Sequence, residues 1–508
     1  MTARNSRTPL RIFFAGAFLV LALPAAAAID ETTLLAQMKA LTNRIDQLES
    51  RNAELERRLA ALGPKAVPPV AEAGVDARLR ALEAARASEE TALATERLST
   101  QEPELVTRLK AVEYQTLSMQ QQARTVSALE GINVGVSLTG MAQWAGAGDT
   151  ASGRAESRAN YRGDVAVTLP GGEMGTMSGK IFTHLRFGQG NGIALRPGYT
   201  STPNTTTFEV AGVADPDSSF AILAQAWYQL DVPLPFGGFA PRSKQHLELN
   251  VGKIDPFVFF DQNAIADDET VRFTNNAFVH NPLLDSGGDL GADEYGFTPG
   301  ARLAWVDERS AGWSWTASLG VFAADRGANF SGDFDQPLVI AQLATTTRLL
   351  DGQTGTYRLY AWRNGRSRDF DGAPARHGGL GFSIDQKILD AVTLFSRYGH
   401  ELHGRTAFDD AFTVGSEIGG DYWGHAADAL GLAFGWLDTN AAYRLATADT
   451  TLVGYAARDA EKVAEIYYRY RFNNRVELTP QFQWIEQAGG DADAGPVQLV
   501  GLRAKVGF

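Results

Sequence analysis

The chain has 508 residues, of which 44% are hydrophobic and 21% charged, a balance that excludes a disordered polymer. A formal net charge of -13 argues against nucleic acid as a partner. With no cysteine there are no disulfides, thiolate zinc sites, Fe–S clusters or Cys nucleophiles. Beyond the first 30 residues no apolar run approaches the about 18 residues of a membrane helix. The chain is therefore globular, or it is a membrane barrel whose apolar residues are hidden by alternation.

Residues 1–28 read as an export signal. Arg4, Arg7 and Arg11 precede an apolar run from Ile12 to Leu23, and Pro24 and the small run Ala25 to Ala28 follow. That order of charged, apolar and small residues belongs to a secretory signal peptide, and the apolar part is too short for an anchor. Residues 29–62 carry a heptad seam: Leu34, Met38, Leu41, Ile45, Leu48, Asn52, Leu55, Leu59 and Leu62 step by 4 and 3 without a slip. Leu occupies each d position from Leu41 on, and the lone Asn52 at an a position sets register at some cost in stability. Arg44 and Arg51 at g face Glu49 and Glu56 at the following e positions of a parallel partner. Leu48, Asn52, Leu55 and Leu59 are the expected oligomerisation residues. A helix packed on its own domain is the alternative, but a two-residue seam is narrow for it. Residues 63–74 form a Pro-rich linker, and 75–130 resume weaker helical patterning, so an α-helical coiled-coil stalk is expected before residue 131.

From Gly131 the period becomes two. In the last strands Ile466, Tyr468 and Tyr470 alternate with Glu465, Tyr467, Arg469 and Arg471, and Val500, Leu502 and Ala504 alternate with Gly501, Arg503 and Lys505. Apolar and aromatic residues on one face, with Arg, Glu and Gln on the other, describe a transmembrane barrel with lipid outside and water inside. Sixteen strands are predicted over 131–508, from 133–144 to 497–508, among them 158–168, 356–363 and 378–384. PGGEMG (170–175), DGQTG and the pair Asn473–Asn474 are the short turns, and long connections fall near 188–219, 254–294 and 438–462. Short periplasmic turns and long outer loops suit an outer-membrane barrel, and sixteen strands leave room for an aqueous channel. The fold class is an all-β barrel of 16 antiparallel strands behind a helical stalk.

The segments GKIDPFVFFDQNAIADDETVRFTNNAFVHNPLLD (252–285), GTYRLYAWRNG (355–365), GLGFSIDQKILDAVTLFSRYG (379–399), AEIYYRYRFNNRVELTPQFQWI (464–485) and the terminal VGLRAKVGF make the chain resemble the carbohydrate-selective outer-membrane porins of OprB type. Phe508, last on an alternating strand, resembles the signal read by the barrel-insertion machinery. The resemblance implies passive diffusion of sugars through a sixteen-strand pore in outer-membrane lipid. The stalk is a departure from it and is more typical of trimeric porins, so a homotrimer is expected, although the Asn52 seam also suits dimers.

A sugar is polar at its edge and apolar on its ring faces, so a selective pore offers aromatic surfaces beside charged hydrogen-bonding groups. The shared parity of Arg358, Tyr360, Trp362, Arg397, Glu465, Arg469, Arg471, Arg503 and Lys505 makes them the expected pore lining. The long connection after residue 253 is the expected constriction, with Asp255, Asp261, Asn263, Asp267, Asp268 and Arg272 as its candidates. Its clustered oxygens offer calcium as an alternative, though the spacing matches no EF-hand, and no metal or other cofactor is assigned. Enzyme readings fare poorly: HELH at 400–403 lacks the HExxH spacing, and neither GxSxG nor a P-loop occurs. The competing functions are a general or anion-preferring pore, suggested by the inward arginines, and a structural tether from the outer membrane to cell-wall material.

Overall fold

The structure, a computed structural model, describes residues 131–508 except 149, 196–202, 209–218, 237–242, 285–295, 325–333 and 351. The expected signal peptide, coiled coil, linker and stalk lie outside the described residues, and Leu48, Asn52, Leu55 and Leu59 with them.

The period-two pattern becomes one closed sheet. Sixteen strands are described, from β1 (Asn133–Ala145) to β16 (Val497–Gly507); each pairs antiparallel with the next, and β16 returns to β1. Leu138 lies opposite Val506 across that seam, and Phe508 and Val136 exchange backbone hydrogen bonds of 2.8 and 3.2 Å. Closure satisfies every backbone donor and acceptor that an open edge would leave bare in hydrocarbon.

Side-chain parity fixes which face is which. On β14 (Glu461–Arg471), Glu465, Tyr467 and Arg469 are buried, whereas Ile466 between them is 40% exposed. On β15 (Val476–Glu486), Gln481 and Gln483 are buried and Phe482 points out. A one-residue slip would turn every charged side chain toward lipid, at about 2–4 kcal/mol for each Arg at the bilayer midplane. Outward aromatics such as Trp313, Trp315, Trp423 and Phe472 sit near strand ends, and Trp423 Nε1 donates to the Tyr468 hydroxyl at 3.1 Å. Such side chains suit the headgroup level, apolar at the ring and polar at the tip.

Connections are short on the side that holds both barrel termini. Gly175 and Thr176 alone join β2 (Glu156–Met174) to β3 (Met177–Gln189), and residues 390–391 join β10 (Pro374–Leu389) to β11 (Val392–His403). On the other side, residues 190–219 link β3 to β4 (Phe220–Pro233). Residues 255–297 link β5 (Gln245–Ile254) to β6 (Thr298–Ser310), and residues 440–460 link β13 (Ala429–Thr439) to β14.

Several boundaries depart from the sequence reading. PGGEMG is not a turn: β2 runs through it to Met174, with a register irregularity between Pro170 and Glu173. Pro170 has no N–H to give the ladder, and the pairing recovers once it is passed. Strands β9 (Gln353–Arg368) and β10 extend well beyond 356–363 and 378–384. Outside the apolar band both faces of a hairpin are polar, so alternation no longer marks the strand although its hydrogen bonds continue.

Candidate functional site

In the connection between β5 and β6, residues 255–284 turn inward and pack on the inner wall. It leaves β5 just past Gly252, whose φ of 145° and closeness to the Ala226 carbonyl exclude any Cβ. Asp255 caps a short turn, Pro256–Val258, by accepting from the Phe257 amide at 3.0 Å. Asn275 caps α1 (Asn276–Val279) in the same way. Local capping makes the connection a shaped object and not a slack loop.

Its first anchor is Asp261, which is fully buried and held at a φ of 53°. Its carboxylate accepts from the Tyr360 hydroxyl on β9 at 2.8 Å, from Arg397 Nε on β11 at 3.1 Å and from the Asn281 amide at 2.6 Å. The Asp261 N–H donates to Gln342 on β8 (Leu338–Leu349) at 2.9 Å, and its carbonyl accepts from Arg397 at 2.9 Å. Arg397 also donates to the Phe278 carbonyl at 2.8 Å. Nearby, Asn263 donates to the Ile384 carbonyl of β10 at 3.0 Å. A buried ion pair is retained only where such further bonds satisfy both ions, and here they do.

The second anchor lies on the strands across the barrel. Glu465 accepts from the amides of Thr274 and Asn275 at 2.8 and 2.9 Å, and Gln481 and Gln483 donate to the Thr274 hydroxyl at 2.5 and 3.0 Å. Arg503 on β16 donates to the carbonyls of Glu269, Arg272 and Val271 at 2.9, 2.5 and 2.6 Å. Phe273 fills the space between, 4.9 Å from the Tyr467 ring and 5.7 Å from Phe395. Arg272 lies 3.3 Å from Glu417 on β12 (Phe408–Gly419).

Between the anchors the loop keeps an acidic edge. Glu269 accepts from Arg162 on β2 at 2.6 Å, and Arg162 and Arg186 both bond Asp164, with His184 Nε2 2.8 Å from the same carboxylate. Lys505 Nζ is 4.0 Å from Asp268 and donates to Thr270 at 2.6 Å. The Asp268 side chain is 45% exposed and that of Asp267 30%, which makes them the open charges of this edge. Burial pushes the Asp267 carboxyl up to about 7, with His280 acting against it. Burial also raises Asp255. At Asp268 burial is opposed and outweighed by Lys505 and the Thr270 hydroxyl, which hold it below the ordinary value. An acid raised to that value is largely neutral below neutrality and charged above it. Cation preference should therefore grow as the pH rises from 6 to 8, and Asp267→Asn should remove most of that slope. Reversal potentials in a KCl gradient read both.

The sequence-predicted lining is inward-facing, but most of it is covered. Tyr360, Trp362, Arg397, Glu465 and Arg503 are buried against the loop or its neighbours and offer a passing solute no face. Arg358 pairs with Asp385 at 2.6 Å, Arg469 lies 3.6 Å from Glu417, and Arg471 donates to Glu477 at 2.7 Å. The loop candidates Asp255, Asp261, Asn263, Asp267, Asp268 and Arg272 all lie inside the barrel. The basic wall of β2 and β3 was missed, although the alternation Asn160–Arg162–Asp164 and His184–Arg186 carries its signal. Among the described residues, no group of three or more His, Asp or Glu side chains is arranged to hold a metal ion.

A family model for the carbohydrate-selective porin, OprB family, matches residues 200–508. The high-pH structure of Pseudomonas putida OprB is 15% identical over 76% of this chain and 96% of that one, with a TM-score of 0.60. Its low-pH structure is 13% identical over 77% and 96%, with a TM-score of 0.43. A mutant porin of Rh. blastica is 11% identical over 74% and 100%, with a TM-score of 0.40. No curated protein matches the chain. With a closed sixteen-strand barrel, a loop packed on its inner wall and a family match over more than half its length, the chain belongs to the OprB family of carbohydrate-selective porins.

Proposed function

We propose that this outer-membrane porin, through which sugars diffuse passively, sorts them from other small hydrophilic solutes at the β5–β6 loop. The observation that carries the reading is the double fastening of that loop inside a closed barrel, which narrows the passage without closing a deep well that would hinder exit. A neutral sugar exchanges water hydrogen bonds for bonds to the Asp267–Asp268 edge and the facing cations without giving up a charge. Liposomes carrying the protein should swell faster in glucose or maltose than in amino acids of similar size. Equal rates would leave a general pore.

The anion-preferring reading loses its support in the contacts of the arginines themselves. Arg162, Arg358, Arg397, Arg471 and Arg503 are each committed to a carboxylate or to backbone carbonyls, whereas the loop acids Asp267 and Asp268 remain partly open. A mild cation preference follows. The heptad segment supports a role for residues 29–130 in holding copies together in the periplasm, as a homotrimer, and leaves attachment to cell-wall material as a second use of the same stalk. A diffusion channel of this kind uses no catalytic group.

A further inference from the structure

A second feature of the lumen lies away from the anchors, on the β3–β6 wall. Phe182 of β3 and Trp227 of β4 are direct cross-strand neighbours on the inner face, stacked at 4.8 Å with 26° between their planes. Phe259, from the root of the loop, meets Trp227 edge-on at 5.6 Å. Phe182 and Phe259 are only partly buried, unlike Tyr360 and Trp362 on the far wall. Cations flank the rings: the Arg302 guanidinium lies 4.5 Å from the centre of Phe259, and Lys180 Nζ 5.9 Å from that of Trp227. Glu248 holds Arg302 at 2.8 Å, and Gln229 donates to Asp231 at 2.6 Å just beyond the rings.

An apolar cluster packed for stability alone would be closed over by its neighbours, as Phe273 is. Here Trp227 is buried, but Phe182 and Phe259 beside it stay partly open inside the pore, with cations, carboxylates and an amide around their rim. That set matches a pyranose, which has an apolar C–H face and a belt of hydroxyls at its edge. We propose that Phe182 and Phe259, backed by the buried Trp227, form a stacking subsite for pyranose rings beside the loop, with Lys180 and Glu248 as partners for the ring hydroxyls. The subsite rests on the sugar-porin reading and names the side chains that make it selective. It also explains why the far-wall aromatics are not needed for contact with sugar. Because ring stacking is shallow and only Phe182 and Phe259 are partly open, a sugar held there leaves readily, as permeation requires.

The test is sugar block of ion current through single channels of the full chain in planar bilayers. Glucose and maltose should reduce the current saturably, and sorbitol, an acyclic polyol without a ring face, should do so far less. Phe182→Ala and Phe182→Leu should each weaken the glucose block about fivefold, roughly the worth of one aromatic stacking contact, while the sugar-free conductance stays nearly constant. Phe182→Trp should restore the block. Leu keeps the apolar volume but has no flat face, so equal block in Phe182→Leu and the parent would overturn stacking, and so would equal block by sorbitol and glucose. Sugar-selective swelling with no block at all would overturn the subsite and leave the porin standing. Loss of sugar-selective swelling would instead remove the reading on which the subsite depends.

Discussion

Asp261→Ala should give a channel of markedly larger and noisier conductance, with the preference for sugars over amino acids diminished. The substitution removes one acceptor for Tyr360, Arg397 and the Asn281 amide together and leaves the buried Arg397 guanidinium with two backbone carbonyls and Asp267 at 4.0 Å. Breaking a buried pair from one side costs about 3–5 kcal/mol, and about 1.4 kcal/mol is already a tenfold change in population. The docked position of residues 259–263 should therefore give way to undocked ones. Asp261→Asn keeps the shape and part of the bonding and should fall between the two. Single-channel recordings decide it, and an unchanged conductance in Asp261→Ala would show that the loop is held without this latch. The barrel itself should still form, because its sixteen ladders do not pass through Asp261; retention of the heat-dependent shift on a gel checks that point.

Removal of Arg503 should act on the opposite wall. Arg503→Met keeps much of the side chain's length and bulk but strips the donors from three backbone carbonyls of residues 269–272. Hydrogen bonds to a charged group contribute about 1.5–3 kcal/mol each, although pore water will replace part of that. Alone, the substitution should raise conductance less than Asp261→Ala, because Glu465, Gln481 and Gln483 still hold Thr274 and Asn275. Combined with Asp261→Ala, it should raise conductance by more than the sum of the two single changes. Either anchor limits how far the loop can swing, so only their joint loss frees it. A double variant no more conductive than the larger single one would mean that the anchors do not share the loop.

These two expectations depend on contacts that no pattern in the chain announces. Alternation located Tyr360, Arg397, Glu465 and Arg503 on the inner face, since period two is a local property of a strand between lipid and water. It also made the 252–285 segment stand out as too long for a turn. Alternation carries no information about what lies across the lumen. Asp261 and Arg397 are 136 residues apart, and Thr274 and Glu465 are 191 apart, so nothing in either local stretch names its partner. Hence side chains expected to line the pore are covered, while Phe182 and Phe259, which carry no charge to draw attention, remain partly open. The basic wall of β2 and β3 was legible in principle, because Arg162, Asp164, His184 and Arg186 follow the same parity as the strands that were read correctly.

The chain by itself determined the barrel: the number of strands, which face of each meets lipid, the side with short turns, and the absence of any long apolar run despite 44% hydrophobic residues. Those properties follow from neighbours one and two positions apart and from the cost of placing charge or bare backbone in hydrocarbon. Only the tertiary structure decided which inward residues face water and which face the loop. A closed barrel brings strands far apart in the chain around one small cavity, and there residues 255–284 cover the inner faces of β8–β11 and of β14–β16 and leave Phe182 on β3 partly open. What a solute meets is set by that occupancy.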